Sequence, residues 1–492
     1  MNATLLIHEW LVLALGLGIL LADLWLPLEA RRKLGYVAAI GLAAIFVYSL
    51  LAINTGEQAE HAFLGMYALD GLALFFKRFF LLAAILVLLM SVEWADHFSA
   101  GIGEFYALIL FALSGMLFAS SANDFSLLFV SLELITVTFY VLTSFQRTRV
   151  TSLEAGVKYL IIGALSTSFT VFGIALVYGV SGKLNFEELS AVAAQYGGSP
   201  IFLFGLLLVM VGLGFKIAAF PFQIWAPDVY QGAPTPTTAF LAVGSKAAGF
   251  VLLLRVLFTA VPDVTAEWTQ LLVIVSAITI LYGNLCAIPQ RNIKRLLGYS
   301  SIAHAGYMLL GIAAMAAALG HRDPDGSAGA SAVLYYLSGY LFTVLGAFTV
   351  ICLVLRQVDG EDVSVLAGLS QRSPLLAWTM TLAMVSLAGI PPLAGFFGKF
   401  LLIKAALAQG PAQPAYYWLV GIALTGVVIS IYYYFGIVRV MFWSQPGPDQ
   451  SAVKASAPVR AALYACAAGM FVLGVYPNWM VNLADAAVKT LR

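Results

Sequence analysis

The chain is a succession of about fourteen apolar stretches, each close to the roughly 20 residues that a helix needs to cross the hydrocarbon core of a bilayer. Their approximate limits are 4–26, 35–54, 71–92, 103–120, 123–145, 154–180, 200–220, 235–260, 268–287, 297–319, 330–356, 374–408, 415–443 and 457–478. In lipid every backbone amide and carbonyl must be bonded internally, and runs of this length achieve that as helices. The predicted fold class is an all-α polytopic membrane protein. Composition leaves no soluble alternative. Of 492 residues, 62% are hydrophobic and 10% charged, too few charges to cover a water-exposed body of this size. The run at 4–26 lacks the basic start and small-residue cleavage site of a secretory signal, so it reads as the first span.

Several functional classes fall away. Net charge is +1, with no basic face for nucleic acid. Cys286, Cys352 and Cys466 are far apart, each in an apolar run, and read as small core residues. Residues 395–399 (GFFGK) lack the spacing and the following Ser/Thr of a phosphate loop. No site for a metal, nucleotide, flavin, haem or iron–sulfur cluster is predicted, so the chain itself would bind no cofactor.

Orientation follows from Lys and Arg in the loops. With a periplasmic N-terminus, Arg31, Arg32, Lys33, Arg147, Arg149, Arg291, Lys294, Arg295, Arg356, Arg372, Arg439, Lys454 and Arg460 are cytoplasmic. The other side holds Lys183, Arg322, Lys489 and Arg492, a ratio of 13 to 4, so both termini are expected in the periplasm of a bacterial inner membrane.

Two spans are interrupted, the seventh at Phe220-Pro221 and Trp225-Ala226-Pro227-Asp228, the twelfth at Gly389-Ile390-Pro391-Pro392-Leu393-Ala394-Gly395. Proline removes a backbone donor, and a break at membrane depth survives only where protein or water satisfies the freed groups. The breaks are five spans apart, so spans four to eight (103–260) and nine to thirteen (268–443) are predicted to be repeats, the second inverted. The N-terminal spans one to four occupy 1–120, and the last span with its tail 457–492.

The informative residues are ionisable groups deep in these runs, where a charge costs at least ~2.5–3.5 kcal/mol. Glu133 is mid-span and is either protonated or paired with a cation on another helix. Lys216 precedes the Pro221 break by about a turn, where an amine can exchange protons. Lys246 lies near the centre of span eight among Gly244, Ser245, Ala247, Ala248 and Gly249. His304 on span ten can relay a proton between its two nitrogens, with Ser300, Ser301 and Tyr307 nearby to carry hydrogen bonds. Lys399 follows the second break and is expected to be the counterpart of Lys216 or Lys246. Lys158 opens span six, where it either joins the path, snorkels, or pairs with Glu154 at i,i+4. Lys404, Lys77, Arg78 and Arg255 are expected at lipid headgroups or subunit contacts, and Asp228 is expected to brace the broken span.

The segments LLGYSSIAHAGYMLLG (296–311), WAPDVYQGAPTP (225–236), LAVGSK (241–246) and IPPLAGFFGKF (390–400) resemble subunit N of bacterial complex I, NADH:quinone oxidoreductase, over essentially the whole chain. The resemblance implies fourteen helices, two inverted five-helix repeats with broken helices seven and twelve, and a non-redox subunit that translocates protons while quinone and NADH bind elsewhere. Its partners would be the other membrane subunits, M and K beside it, and the lipid bilayer. By motif match Glu133, Lys216, Lys246 and Lys399 would form the proton relay, with Lys158 and His304 accessory. Protons would enter near Lys216 and Lys246, pass His304 and leave through Lys399, with Glu133 coupled to Lys158 or Lys216. Lys399 favours subunit N over M, and the absence of a long C-terminal arm disfavours L. Many relatives carry histidine where Gln223 stands, and Gln223 cannot titrate. The rival reading is a subunit of an Mrp-type cation/proton antiporter, for which the same buried lysines would serve.

Overall fold

The computed structural model describes residues 3–53, 59–98, 101–321, 326–358, 360–445 and 451–491. Asn54, Arg322 and Arg492, used above, lie outside the described residues. Among the described residues, 13 helices are long and apolar enough to cross a membrane, in the order of the predicted segments. The remaining segment, the twelfth, is two shorter helices, Pro374–Ala388 and Ala394–Gln409. The seventh span stops at Ile217 and the chain resumes a helix at Trp225–Gly232. A short antiparallel hairpin, Glu60–Ala62 with Tyr67–Leu69, has no counterpart in the sequence reading.

Local chemistry sets the helix ends. Asp70, Asp124, Ser199 and Asn292 each accept from an amide of the first turn that follows, as N-caps do. At the breaks the chain turns left-handed. Ala218 has φ 58° and its amide bonds back to the end of span seven. Gly389 has φ 84°, a backbone that favours glycine, and a Cβ there would press on the Lys399 side chain, 2.9 Å from Cδ. Phe220-Pro221 and Pro391-Pro392 are both cis.

The helices are layered around three central spans. Spans eight (Thr235–Ala260), ten (Ile293–Gly320) and eleven (Ala328–Leu355) are almost wholly buried within the chain, whereas spans one, two, six, thirteen and fourteen show most of their surface outward. The outward faces are apolar, with Leu17, Ile40, Ile161 and Val428 exposed, as a lipid or subunit contact requires.

Lys77 and Arg255 are not at lipid headgroups. Lys77 is fully buried, closely paired with Glu9 of span one and bonded to Tyr67 Oη at 2.9 Å. Arg255 is 2% exposed and makes a two-pronged pair with Asp70, at 3.1 and 2.9 Å, while its Nε donates to Ser120 O at 2.8 Å. Arg78 donates to Ser49 O and Ile53 O at 2.7 and 2.8 Å. A lone apolar run cannot show such pairs, because each partner comes from a distant span. Lys404 is exposed, as expected.

The loop after span eleven is held by another buried cluster. Glu361 accepts from Lys294 at 2.9 Å, Arg149 at 3.0 Å and Asn292 at 3.0 Å, and its backbone O accepts from Ile293 N at 2.8 Å. Burial alone would raise the Glu361 carboxyl, but Lys294, with Asn292 and Arg149, outweighs it and holds the group below the usual carboxylate range.

Two outcomes follow from these pairs. Arg255→Ala strands a buried Asp70 and should cost about 3–5 kcal/mol, seen as a lower unfolding temperature of the purified protein, while Asp70→Asn with Arg255→Met should recover much of it. A single variant as stable as the parent would show that the pair does not support the fold. For Glu361 the depressed value means its contribution is present at pH above the unfolded carboxylate value, roughly 4.3, and is lost as pH falls through the lower folded value. Glu361→Gln should therefore speed amide exchange across 360–369 at neutral pH and leave it unchanged in strong acid. Equal exchange at neutral pH would contradict this.

Candidate functional site

Span ten is the spine of the site. Ser301, His304 and Tyr307 recur every three residues and so lie along one helix face. Each is buried and each meets a residue from another span.

Lys246 follows a π-helical turn, Leu241–Ser245, and donates to Ser301 O at 2.5 Å and closely to Ser301 Oγ. Ser301 Oγ also accepts from Tyr340 Oη at 3.0 Å and lies 3.1 Å from Tyr230 Oη. One turn on, His304 Nδ1 meets Tyr336 Oη at 2.5 Å and Nε2 meets Tyr434 Oη at 3.0 Å. Tyr434 Oη in turn meets Ser300 Oγ at 2.5 Å. A further turn along, Tyr307 presents its ring to Lys399 Nζ at 4.9 Å, a cation–π distance. Lys399 Nζ donates to Leu387 O at 2.7 Å and Ala388 O at 3.2 Å, the last carbonyls of the half-helix before the break. Those carbonyls have no partner within their own helix, and the end of the helix dipole there favours a cation.

Lys216 is likewise at the end of the half-helix before its break, and donates to Thr136 Oγ1 at 2.9 Å. Its stem lies on Gly249 of span eight, where a Cβ would approach Lys216 Cγ to 3.3 Å, so it stands one turn from Lys246. Glu133, Thr136, Thr167 and Lys216 line a cavity of about 20 Å³, room for about one water. Glu133 accepts from Thr167 Oγ1 at 2.6 Å and, among the described residues, forms no ion pair with Lys216 or Lys158.

The structure thus brings Lys216, Lys246, His304 and Lys399 to one buried axis, with Glu133 at its edge. Lys158 is elsewhere. Its side chain is 42% exposed and pairs with Glu154 and Asp228, each at 2.7 Å, while Asp228 also pairs closely with Arg295. Asp228 therefore braces the broken span against spans six and ten, as expected. Lys399 reaches the end of the half-helix before its break from the helix beyond, whereas Lys216 belongs to the half-helix that ends. The sequence reading missed Tyr336, Tyr340, Tyr434 and Tyr230. Their only signal was clustered tyrosine in mid-span, as in 335–340 and 432–434. Gln223 is buried, and its Oε1 lacks a hydrogen-bond partner. Among the described residues no group of His, Cys, Asp and Glu could hold a metal ion.

Residues 122–430 match the family described as NADH:quinone oxidoreductase/Mrp antiporter, transmembrane. The chain is 39% identical over 489 residues to the NADH-quinone oxidoreductase subunit N of Moorella thermoacetica, covering 99% of each. Among solved structures it is similar to a chain of respiratory complex I from Thermus thermophilus with bound aureothin, at 33% identity and TM-score 0.78, covering 96% of this chain and 98% of that one. A chain of the Mrp complex from a Dietzia species has TM-score 0.81 at 20% identity, covering 100% and 98%, a likeness of fold alone. The chain belongs to the NADH:quinone oxidoreductase/Mrp antiporter membrane family, and within it to the family of subunit N.

Proposed function

We propose that the chain is a proton-translocating, non-redox membrane subunit of a bacterial NADH:quinone oxidoreductase. The observation that carries this reading is the set of three buried amines, Lys216, Lys246 and Lys399, which donate to neutral oxygens on spans five, ten and twelve and, among the described residues, form no ion pair. A structural ion pair fixes its proton, because deprotonating the amine leaves a buried carboxylate unpaired. An amine held by hydroxyls and carbonyls can give its proton up and take it back without that penalty.

In this mechanism a proton reaches Lys216 and Lys246 from the cytoplasmic side and passes through Ser301, whose hydroxyl can accept and donate at once. It continues by Tyr340 and His304 with Tyr336 and Tyr434, and leaves from Lys399 towards the periplasm. Glu133 biases Lys216 across the shared cavity, and Lys158 with Asp228 and Arg295 sets the charge near the intake. With Gln223 at the first break, transfer there runs through hydroxyls or water. The two breaks belong to inverted repeats at 103–260 and 268–443, preceded by helices within 1–120 and followed by 457–492. Both termini face the periplasm, and subunits M and K are the neighbours. Quinone and NADH bind in other subunits, and this chain holds no cofactor. High identity to subunits named N along the full length favours this over an Mrp antiporter.

Lys246→Ala, in a complex that assembles normally, should lower NADH-driven proton pumping in inverted vesicles about tenfold or more, the scale of losing one proton-transfer group. Lys399→Ala should do the same. Unchanged pumping in both would exclude the lysine relay while leaving the family membership intact.

A further inference from the structure

Away from the buried axis, a cavity of about 250 Å³ opens where spans three to six reach one end of the bundle, lined by His97, Phe98, Gly101, Glu104, Gln146 and Arg147 among others. The helix Ile102–Ser120 begins here. Its N-cap is Gly101, with φ 77°, which has no side chain to cap the first turn, and Glu104 stands in that turn. Free amides at a helix start, with the dipole behind them, form a phosphate site. A Cβ at Gly101 would stand 2.9 Å from Glu104 Oε2 and 3.2 Å from Phe145, so the opening depends on glycine. Independently, Gln146 is 5% exposed and its Oε1, in the cavity wall, has no hydrogen-bond partner. The His97 ring beside it is stacked on Trp94 at 4.0 Å. A buried acceptor left unpaired is costly until a donor arrives.

The lining is doubled in character. Arg147 and the helix start favour an anion. Glu104, Gln146 Oε1 and the faces of Phe98 and Phe145, whose centroids are 5.1 Å apart, favour an ammonium. Opposite preferences side by side match a zwitterion, and the cavity lies where helices leave the bilayer. We propose that it takes the phosphoethanolamine headgroup of a membrane lipid, the phosphate at the amides of Ile102–Ser120 and Arg147, the ammonium at Gln146 Oε1 and Glu104.

The test uses the intact complex in nanodiscs containing a photoreactive phosphatidylethanolamine, with labelled peptides mapped by mass spectrometry. Labelling should fall on 97–98, 101–104 and 145–148. Arg147→Gln, a change at an exposed side chain, should lower it about tenfold, the scale of one charge-assisted hydrogen bond. Glu104→Gln should lower labelling by phosphatidylethanolamine but not by a photoreactive phosphatidylglycerol, which lacks the amine. Absence of label from both segments, or indifference to both variants, would overturn the site. Equal loss with both lipids would overturn the zwitterion assignment. Retention of label in excess soluble O-phosphoethanolamine supports the lipid, and displacement by it would assign the cavity to the free headgroup instead.

Discussion

A helix that stops inside a membrane exposes carbonyls to a medium that offers them no donor, and the architecture of this chain is arranged around two such stops. Ile217 ends one half-helix and Ala388 the other. In both cases an ammonium stands at the exposed end. Lys216 comes from the ending helix itself. Lys399 reaches back from the helix beyond the break to Leu387 O and Ala388 O. At the second stop the break and the lysine are mutually dependent, since the carbonyls make a buried cation tolerable and the cation supplies donors that the broken ladder lacks. At the first, Trp225 Nε1 donates to Phe215 O, and Lys216 turns instead to Thr136. Gly389 completes the second stop, since its left-handed backbone favours glycine and a Cβ there would push on the Lys399 side chain.

The buried charges fall into two chemical groups. Lys77 with Glu9, Arg255 with Asp70, and Lys294 with Glu361 are paired with carboxylates and tie distant spans together. Their protons are held in place by the partner's charge, so they serve as braces. Lys216, Lys246 and Lys399 donate to hydroxyls and carbonyls, Lys399 also facing the Tyr307 ring, and among the described residues none is paired with a carboxylate. The two groups differ in partner rather than in place, since Arg255 shares span eight with Lys246 and Lys294 lies on span ten. This separation of braces from exchangeable amines is what makes a directed path compatible with a stable fold.

Much of this was legible in the sequence, for definite reasons. Apolar length fixes a span, so the segments were visible, and proline with glycine marked both breaks. Midspan ionisable residues are too costly to be incidental, which exposed Lys216, Lys246, His304 and Lys399. Pairing was not legible. The Glu9–Lys77 contact joins residues 68 apart and the Asp70–Arg255 contact residues 185 apart, and no periodicity reports such distances. Of the tyrosines only Tyr307 stood out, by its place beside His304, because a midspan tyrosine such as Tyr336 or Tyr434 is ordinary in an apolar helix until its hydroxyl is seen to meet His304. Nor was it legible that Lys399 returns to the carbonyls before its break, because chain position relative to a break does not say towards which side a long side chain turns.

Glu133 marks where the chain stops being self-sufficient. It is half-buried, bonded to Thr167, and shares its cavity with Lys216. On the same helix Val130, Val137 and Val141 are exposed, and they form an apolar stripe beside it. Whatever covers that stripe in an assembled complex also sets the dielectric around the carboxyl, and with it the strength of its field at Lys216. Lys246 and Lys399 have no such opening, being enclosed by their own chain. Influence from a neighbouring subunit can therefore act on Lys216 through Glu133 at the flank, and reach Lys246 and Lys399 only along the hydroxyls and the imidazole of the central axis.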